Sequence, residues 1–159
     1  MGRPGGQAAR SHAGTAGGRC SAEMGEMAEH KAVVQVKDGI EYRGLGALVK
    51  RVIYPQLTGV KGATLAVVYI NPGEEIVLHH HPEEELYYII SGTGTVTLDD
   101  EEVPVGPGTA VYIAPNVVHG QRPTGNEPLY MVAVVTPPFQ PGSAPVLVEK
   151  QPGAAGGQY

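Results

Sequence analysis

Four side chains of the types that bind transition metals occur in two separate parts of the sequence. His79 and His81 lie two residues apart, and because side chains alternate between the faces of an extended strand, both point to one face. Glu85 follows four residues after His81, and the intervening Pro82 predicts a bend, so we expect Glu85 to return from a neighbouring strand. His119 is the fourth candidate. Three imidazoles and one carboxylate suit one divalent ion of Mn, Fe, Co, Ni or Zn, and suit Ca or Mg poorly.

The same alternation sorts the residues that flank these candidates. Three of them are expected to face away from the ligands or to lie on a solvated loop, namely His80, Glu83 and Glu84. Tyr87 shares the parity of Glu85, which makes it a candidate substrate-binding residue on the wall of a cavity, whereas Tyr88 should face the opposite side. Ordinary packing in the core is the alternative for both tyrosines.

Short strands joined by tight turns must position these residues. The chain has 23 Gly, 14 Pro, no Trp and one Phe, and its Val, Ile and Tyr residues are concentrated after residue 32. Besides the histidine-rich stretch, strands are predicted over residues 33–36, 40–42, 47–54, 63–70, 86–90, 94–98, 103–105, 109–114, 119–122 and 129–136. No helical periodicity and no repeat of 20–50 residues is found. This pattern predicts an all-β domain, either a small barrel or a jelly roll.

The composition divides the chain into three parts. Residues 1–28 are rich in Gly, Ala and Arg and cannot bury enough apolar surface to fold, so we predict a disordered leader. A transit peptide, an added leader and an over-extended start with Met24 or Met27 as the natural first residue all remain open. Residues 29–139 are predicted to form one domain, and residues 140–159 a Pro/Gly-rich tail with one apolar stretch at 146–148.

Charge and hydropathy exclude several classes of partner. The formal net charge is −5, and no Lys or Arg occurs from Gly62 to Gln121. An acidic centre repels phosphate backbones, so we expect no nucleic-acid partner, and no helix-turn-helix pattern supports a DNA-binding regulator. No apolar run is long enough for a membrane span. The single cysteine, Cys20, is weakly in favour of a reducing compartment, which predicts a cytoplasmic protein.

Five spaced positions resemble the first motif of the cupin family, G-x5-H-x-H-x3-E-x6-G. They are Gly73, His79, His81, Glu85 and Gly92. The segment from Gly108 to His119 resembles the second motif, with two departures: residues 114–116 read Ala-Pro-Asn where the family usually has Pro-x-Gly, and no Asn follows His119 at the usual spacing. The resemblance implies a double-stranded β-helix barrel in which His79, His81, Glu85 and His119 converge on one metal ion.

The resemblance is less specific for function than for fold. It implies either Lewis-acid chemistry, such as isomerisation, cyclisation or elimination, or dioxygenase chemistry if a redox metal is bound. In both cases Glu85 is a candidate catalytic base. A non-catalytic, metal-containing cupin that binds a small ligand is the alternative, because a fold does not dictate an activity. Many members are homodimers, and residues 32–54 are the candidate segment for joining a partner's sheet.

The scarcity of basic residues bears on the substrate. Phosphorylated sugars and nucleotides need cationic partners, and from residue 40 to residue 139 five basic residues are available, namely Arg43, Lys50, Arg51, Lys61 and Arg122. We therefore expect a small, uncharged or weakly acidic molecule, such as a phenol, an enol or a polyketide-like compound. Lys50 and Arg51 are expected on the surface, although a basic residue from an early strand could reach a pocket.

Overall fold

A computed structural model describes residues 30–139 and 144–149 of the chain. Regular structure in these residues is almost entirely β, with one 3-10 turn (Val36–Asp38) and one short helix, α1 (Pro55–Thr58). The strands are β1 (Ile40–Gly44), β2 (Ala47–Ile53), β3 (Thr64–Ile70), β4 (Ile76–His80), β5 (Glu84–Ser91), β6 (Gly94–Leu98), β7 (Glu101–Val105), β8 (Ala110–Ile113), β9 (His119–Pro123), β10 (Leu129–Thr136) and β11 (Val146–Leu147). Neither helix approaches the length and hydrophobicity of a membrane span. The leader predicted for residues 1–28 lies outside the described residues.

The strands form two antiparallel sheets that face each other. The larger sheet has the order β1-β2-β3-β10-β5-β8, and the smaller has the order β11-β4-β9-β6-β7. Several neighbours in these orders, such as β3 and β10, β5 and β8, or β4 and β9, are far apart in the sequence, so the chain crosses repeatedly between the sheets. This is the predicted all-β, double-stranded β-helix architecture, and that prediction is confirmed.

Strict alternation on the central strand β10 builds one wall of the core. Its inward residues are all buried, namely Leu129, Met131, Ala133 and Val135. Met131 lies in register with Val68 on β3 and with Ile89 on β5, so three adjacent strands place apolar side chains on the same face. Burial of these side chains between the sheets is the main source of stability for such a barrel.

The start of the domain differs from the prediction. The strand expected over residues 33–36 is wrong, because Val33 is 79% exposed and the chain makes a 3-10 turn at 36–38. The first hairpin instead joins β1 to β2 through Leu45 and Gly46, which both have positive φ angles. Three valines without a partner strand bury too little surface to form a sheet edge.

Part of the predicted tail contributes to the smaller sheet. Val146 and Leu147 pair with His80 and His79 and so extend the sheet beyond β4. The strand that carries the candidate ligand His79 is thereby covered on its outer edge.

Two turns in the motif segments need left-handed backbone. Gly92 has a φ of +80°, and a Cβ atom there would collide with the Pro128 carbonyl, which only glycine avoids. Asn116 has a φ of +65°, as expected for the residue that replaces glycine in the second motif. Its backbone N–H donates to the His81 carbonyl at 2.8 Å. The turn that precedes His119 is therefore tied to the loop that carries His81.

Candidate metal centre

The two sheets bring the four candidate ligands together inside the barrel. His79 on β4 and His119 on β9 are register partners in the smaller sheet. Glu85 comes from β5 in the larger sheet, and His81 lies in the connection between β4 and β5. All four residues are buried, and His119 is completely inaccessible to solvent. The cluster therefore spans the space between the sheets.

The distances within the cluster suit a single ion. The four donor atoms all lie within 4.8 Å of one another. Two of these separations are shorter, since Glu85 Oε2 lies 3.2 Å from His81 Nε2 and 3.2 Å from His119 Nε2. Donors that share a transition metal are separated by at most about twice the bond length of 2.0–2.2 Å, so the cluster is close to that spacing.

The hydrogen bonds of the histidines fix their tautomers. In each ring Nδ1 faces a backbone carbonyl: that of Val77 at 2.8 Å for His79, that of Glu83 at 3.2 Å for His81, and that of Val117 at 2.9 Å for His119. A carbonyl only accepts, so Nδ1 carries the proton and each neutral ring turns the lone pair of Nε2 toward the centre. In His81 and His119 this lone pair meets a carboxylate oxygen at 3.2 Å. Such lone pairs repel one another unless a cation lies between them, and this donor set therefore fits a metal ion.

Burial and the close contacts between the histidines and the carboxylates set the pKa values of the metal-free cluster. Burial alone would raise the pKa of Glu85, but hydrogen bonds and charge from His119 and His81 hold it at about 2. Burial opposes a charge on His81, yet hydrogen bonding to Glu85 and the charges of Glu85 and Glu83 raise its pKa. Burial, followed by the charge of His119, lowers the pKa of His79 to about 4. Without a metal, a proton shared with Glu85 supplies the missing positive charge.

Glu83 does not lie on the surface, as the sequence had suggested. It is 8% exposed, and its Oε2 lies 3.4 Å from His81 Nδ1 without a hydrogen bond from any described residue. The inward parity of His81 continues through the bend to Glu83 and Glu85, so the solvated-loop expectation is wrong for Glu83. A carboxylate on the far side of a ligating imidazole raises the basicity of that ligand.

We expect Glu83→Gln to weaken metal binding about tenfold, because the change keeps the size of the side chain and removes the charge beside His81. Competition with a chelator of known affinity measures the effect. The matched control is Glu84→Gln, one residue away on the exposed face, which should bind metal as the wild type does. Equal affinity of both variants would show that Glu83 gives His81 no electrostatic support.

An apolar cavity of about 240 Å³ opens beside the cluster. His79, His81 and Glu85 form part of its lining, and Tyr87 and Gln121 extend the polar part of the wall. Gln121 Nε2 donates to the Tyr87 hydroxyl at 2.8 Å. The rest of the lining is mainly aliphatic, namely Leu45, Val49, Ala66, Val68, Ile76, Met131, Ala133 and Val135.

The flanking residues divide as their parity predicts, apart from Glu83. Tyr87 faces the cavity, whereas Tyr88 is 51% exposed on the outer face of the sheet. His80 lies outside the four-residue cluster, and Glu84 is exposed, where it accepts a hydrogen bond from Tyr112.

Two cavity residues, Gln121 and Phe139, were missed in the sequence, and Arg51 lines the cavity, the alternative to its expected place on the surface. Gln121 lies two residues after His119 on the same strand, so the alternation that placed His119 inside also predicts an inward Gln121. Arg51 likewise follows the inward Ala47 and Val49 on β2, although its charge had suggested the surface. No sequence signal marks Phe139 beyond its being the one phenylalanine of the chain.

Comparison with known proteins identifies one matching family and several relatives of similar sequence. A family model described as Cupin domain matches residues 66–135. Protein MJ1618 of Methanocaldococcus jannaschii is 35% identical over 96 residues, which cover 59% of this chain and 76% of that protein. The polyketide synthase CurC of Streptomyces cyaneus is 30% identical over 106 residues, covering 66% of this chain and 69% of that protein.

A solved structure agrees with the architecture. The polyketide cyclase RemF from Streptomyces resistomycificus matches with a TM-score of 0.64 and 21% identity, covering 77% of this chain and 88% of that chain. At this identity the likeness concerns the fold. RemF and this chain share the barrel architecture on which the four candidate ligands are placed.

Proposed function

The chain belongs to the cupin family, and from this premise we propose that it is a metal-dependent enzyme acting on a small hydroxylated organic molecule. One observation carries the proposal: Nε2 of His81 and Nε2 of His119 each lie 3.2 Å from the same carboxylate oxygen of Glu85, which lines an apolar cavity. That arrangement would suit a divalent transition metal, of Fe, Mn, Ni, Zn or Co, beside a space for a substrate.

The residues that would hold the metal are His79, His81, Glu85 and His119. When bound, the metal supplies a Lewis acid for a substrate oxygen, and a redox-active metal also supports oxygenation. The carboxylate of Glu85 lines the cavity, where it takes a proton from the substrate while the electron pair stays on the substrate. The low pKa of Glu85 keeps this group ionised at neutral pH in the metal-free cluster.

Tyr87 and Gln121 are the proposed substrate-binding pair. Burial, and then the charge of and hydrogen bond to Glu85, raise the pKa of Tyr87 well above its usual value, so the phenol keeps its proton. The Tyr87 oxygen accepts a hydrogen bond from Gln121 Nε2. Gln121 Oε1 is buried with no hydrogen bond from any described residue. It is an acceptor for a hydroxyl group of the substrate.

The size and lining of the cavity favour a phenol, an enol or a polyketide-like fragment. Its volume of about 240 Å³ lies just below the usual range for small-molecule sites, about 300–1,000 Å³, which favours a compact molecule. CurC and RemF, whose names place them in polyketide synthesis, support this substrate class.

Metal content and turnover of the same samples test the proposal. We expect protein purified without chelators to contain one equivalent of a transition metal, and chelation followed by addition of that metal to remove and restore turnover on small phenols and enols. Glu85→Gln should lower turnover per bound metal at least about 100-fold, because the amide cannot take the proton. A Glu85→Gln variant with full metal content and full turnover would rule out Glu85 as the base.

Two other outcomes separate this function from its alternative. Turnover that survives complete removal of the metal would contradict a metal-dependent enzyme. Stoichiometric metal with no turnover on a broad panel, with and without oxygen, would favour a non-catalytic ligand-binding cupin. The homodimer and the cytoplasmic location remain predictions, and a mass measurement in solution tests the former.

A further inference from the structure

An arginine lines the cavity from an inward position of its strand. On β2 the inward residues Ala47 and Val49 are buried in the core, and Arg51 has the same parity and also lines the cavity. Of the residues that line this cavity, Arg51 is the one Lys or Arg. A charge at a core-facing position needs a partner.

Two aromatic rings hold the guanidinium in place. Its Cζ lies 4.8 Å from the ring centroid of Tyr42 and 5.8 Å from that of Phe139. The Phe139 ring also packs edge-on against the ligand His81, with 5.2 Å between centroids. Arg51 therefore lies within about 11 Å of the His81 ring, on the same cavity. Contacts with ring faces orient a guanidinium and leave its N–H edge available for hydrogen bonds.

No carboxylate among residues 30–139 and 144–149 forms an ion pair with Arg51. Three other basic residues of this region do have such partners: Arg43 pairs with Glu74 at 3.0 Å, Lys50 with Glu41 at 3.0 Å, and Arg122 with Glu102 at 2.7 Å. The acid that lines the cavity, Glu85, is engaged with the histidines. With a divalent ion bound, one carboxylate and one guanidinium leave the cavity with an excess of positive charge.

We propose that Arg51 binds a carboxylate of the substrate, so that the enzyme acts on a compact hydroxylated aromatic or enolic acid whose hydroxyl end meets the metal. This inference rests on the proposed function and narrows its substrate class. The planar N–H edge matches a carboxylate bidentately, and the cavity joins this edge to the metal ligands. An uncharged molecule of the same shape would leave Arg51 without a partner.

Calorimetric binding of two probes to the full, metal-loaded chain tests the proposal. The probes are 3,4-dihydroxybenzoate and 3,4-dihydroxybenzamide, which share a metal-chelating diol and differ in the charge on the opposite side of the ring. We expect the wild type to bind the acid at least about tenfold more tightly than the amide. Arg51→Gln should bring this ratio close to one, whereas Lys50→Gln, on the next residue of β2, should leave it unchanged.

The remaining outcomes separate the two claims. If both probes bind the wild type equally, the Arg51 proposal is overturned and the metal centre stands. If neither probe binds, both the Arg51 proposal and the proposed chelation fail. If binding persists unchanged after the metal is removed, the chelation fails, and the ratio of acid to amide affinity still decides the Arg51 proposal. A merely structural Arg51 would lower the melting temperature of Arg51→Gln without changing the ratio. Should Arg51→Gln not fold, Arg51→Lys provides the test: we expect a ratio reduced but above one, and an unchanged ratio would contradict bidentate recognition.

Discussion

Replacing His119 with alanine is expected to abolish metal binding, with less than about a tenth of an equivalent retained after purification. His119 is completely buried on β9, where it is the register partner of His79 on β4. Loss of a partner that merely supports a ligand costs about 10–100-fold in affinity, so loss of a ligand should cost at least about 100-fold. Elemental analysis of protein prepared without chelators, followed by titration with the identified metal, measures both quantities.

His80→Ala is the matched control for this experiment. His80 is the histidine next to His79 on β4, and it lies outside the four-residue cluster. It should keep the wild-type metal content. If His119→Ala retains a full equivalent, or if both variants lose metal to the same extent, the assignment of His119 as a ligand is wrong. A comparison of thermal unfolding with and without the metal separates loss of the site from loss of the fold.

The part of the site that follows from strand periodicity could be predicted from the sequence. His79 and His81 had to share a face, and His119 had to come from another strand, whatever the details of the barrel. The inward position of Glu85 was also predictable from strand parity alone. The inward parity runs without interruption through Pro82, from His81 to Glu83 and Glu85. Pro82 bends the chain without resetting the alternation of side chains, and Glu83 therefore faces inward and not toward solvent.

Features that depend on closure of the barrel could not be predicted. Arg51 and Phe139 come into contact because the end of β2 and the segment after β10 meet at the cavity. No local sequence pattern encodes this meeting. The first hairpin is similar: Asp38-Gly39 has the composition of a turn, but Gly39 is extended with a φ of −72°, and the reversal occurs at residues 45–46. The choice between the two turns depends on which strand finds β3 as its partner, and this is a tertiary effect.

Acidification from pH 8 to pH 5 should weaken metal binding at least about 30-fold. An imidazole must be neutral to bind the metal, so protons compete wherever the metal-free ligand has a pKa within this range. Burial, and then the charge of His119, hold the pKa of His79 near 4, and Glu85 has a pKa of about 2, so neither group gains a proton above pH 5. His81 does compete: although burial opposes its charge, Glu85 and Glu83 raise its pKa above the free value of about 6.5. Its protonation at pH 5 gives the expected factor, and chelator competition at each pH measures it.

Glu83→Gln tests the physical cause of this pH dependence. The charge of Glu83 is one of the influences that raise the pKa of His81, so its removal should lower that pKa and move the onset of metal release to lower pH. The variant should thus bind more weakly than the wild type at pH 8 and yet lose a smaller factor between pH 8 and pH 5. Weakening by the same factor at every pH would place the effect of Glu83 elsewhere than on His81. Metal affinity that is equal at pH 5 and pH 8 in the wild type would contradict the histidine ligands themselves, because no imidazole that binds a proton in this range would then be competing with the metal.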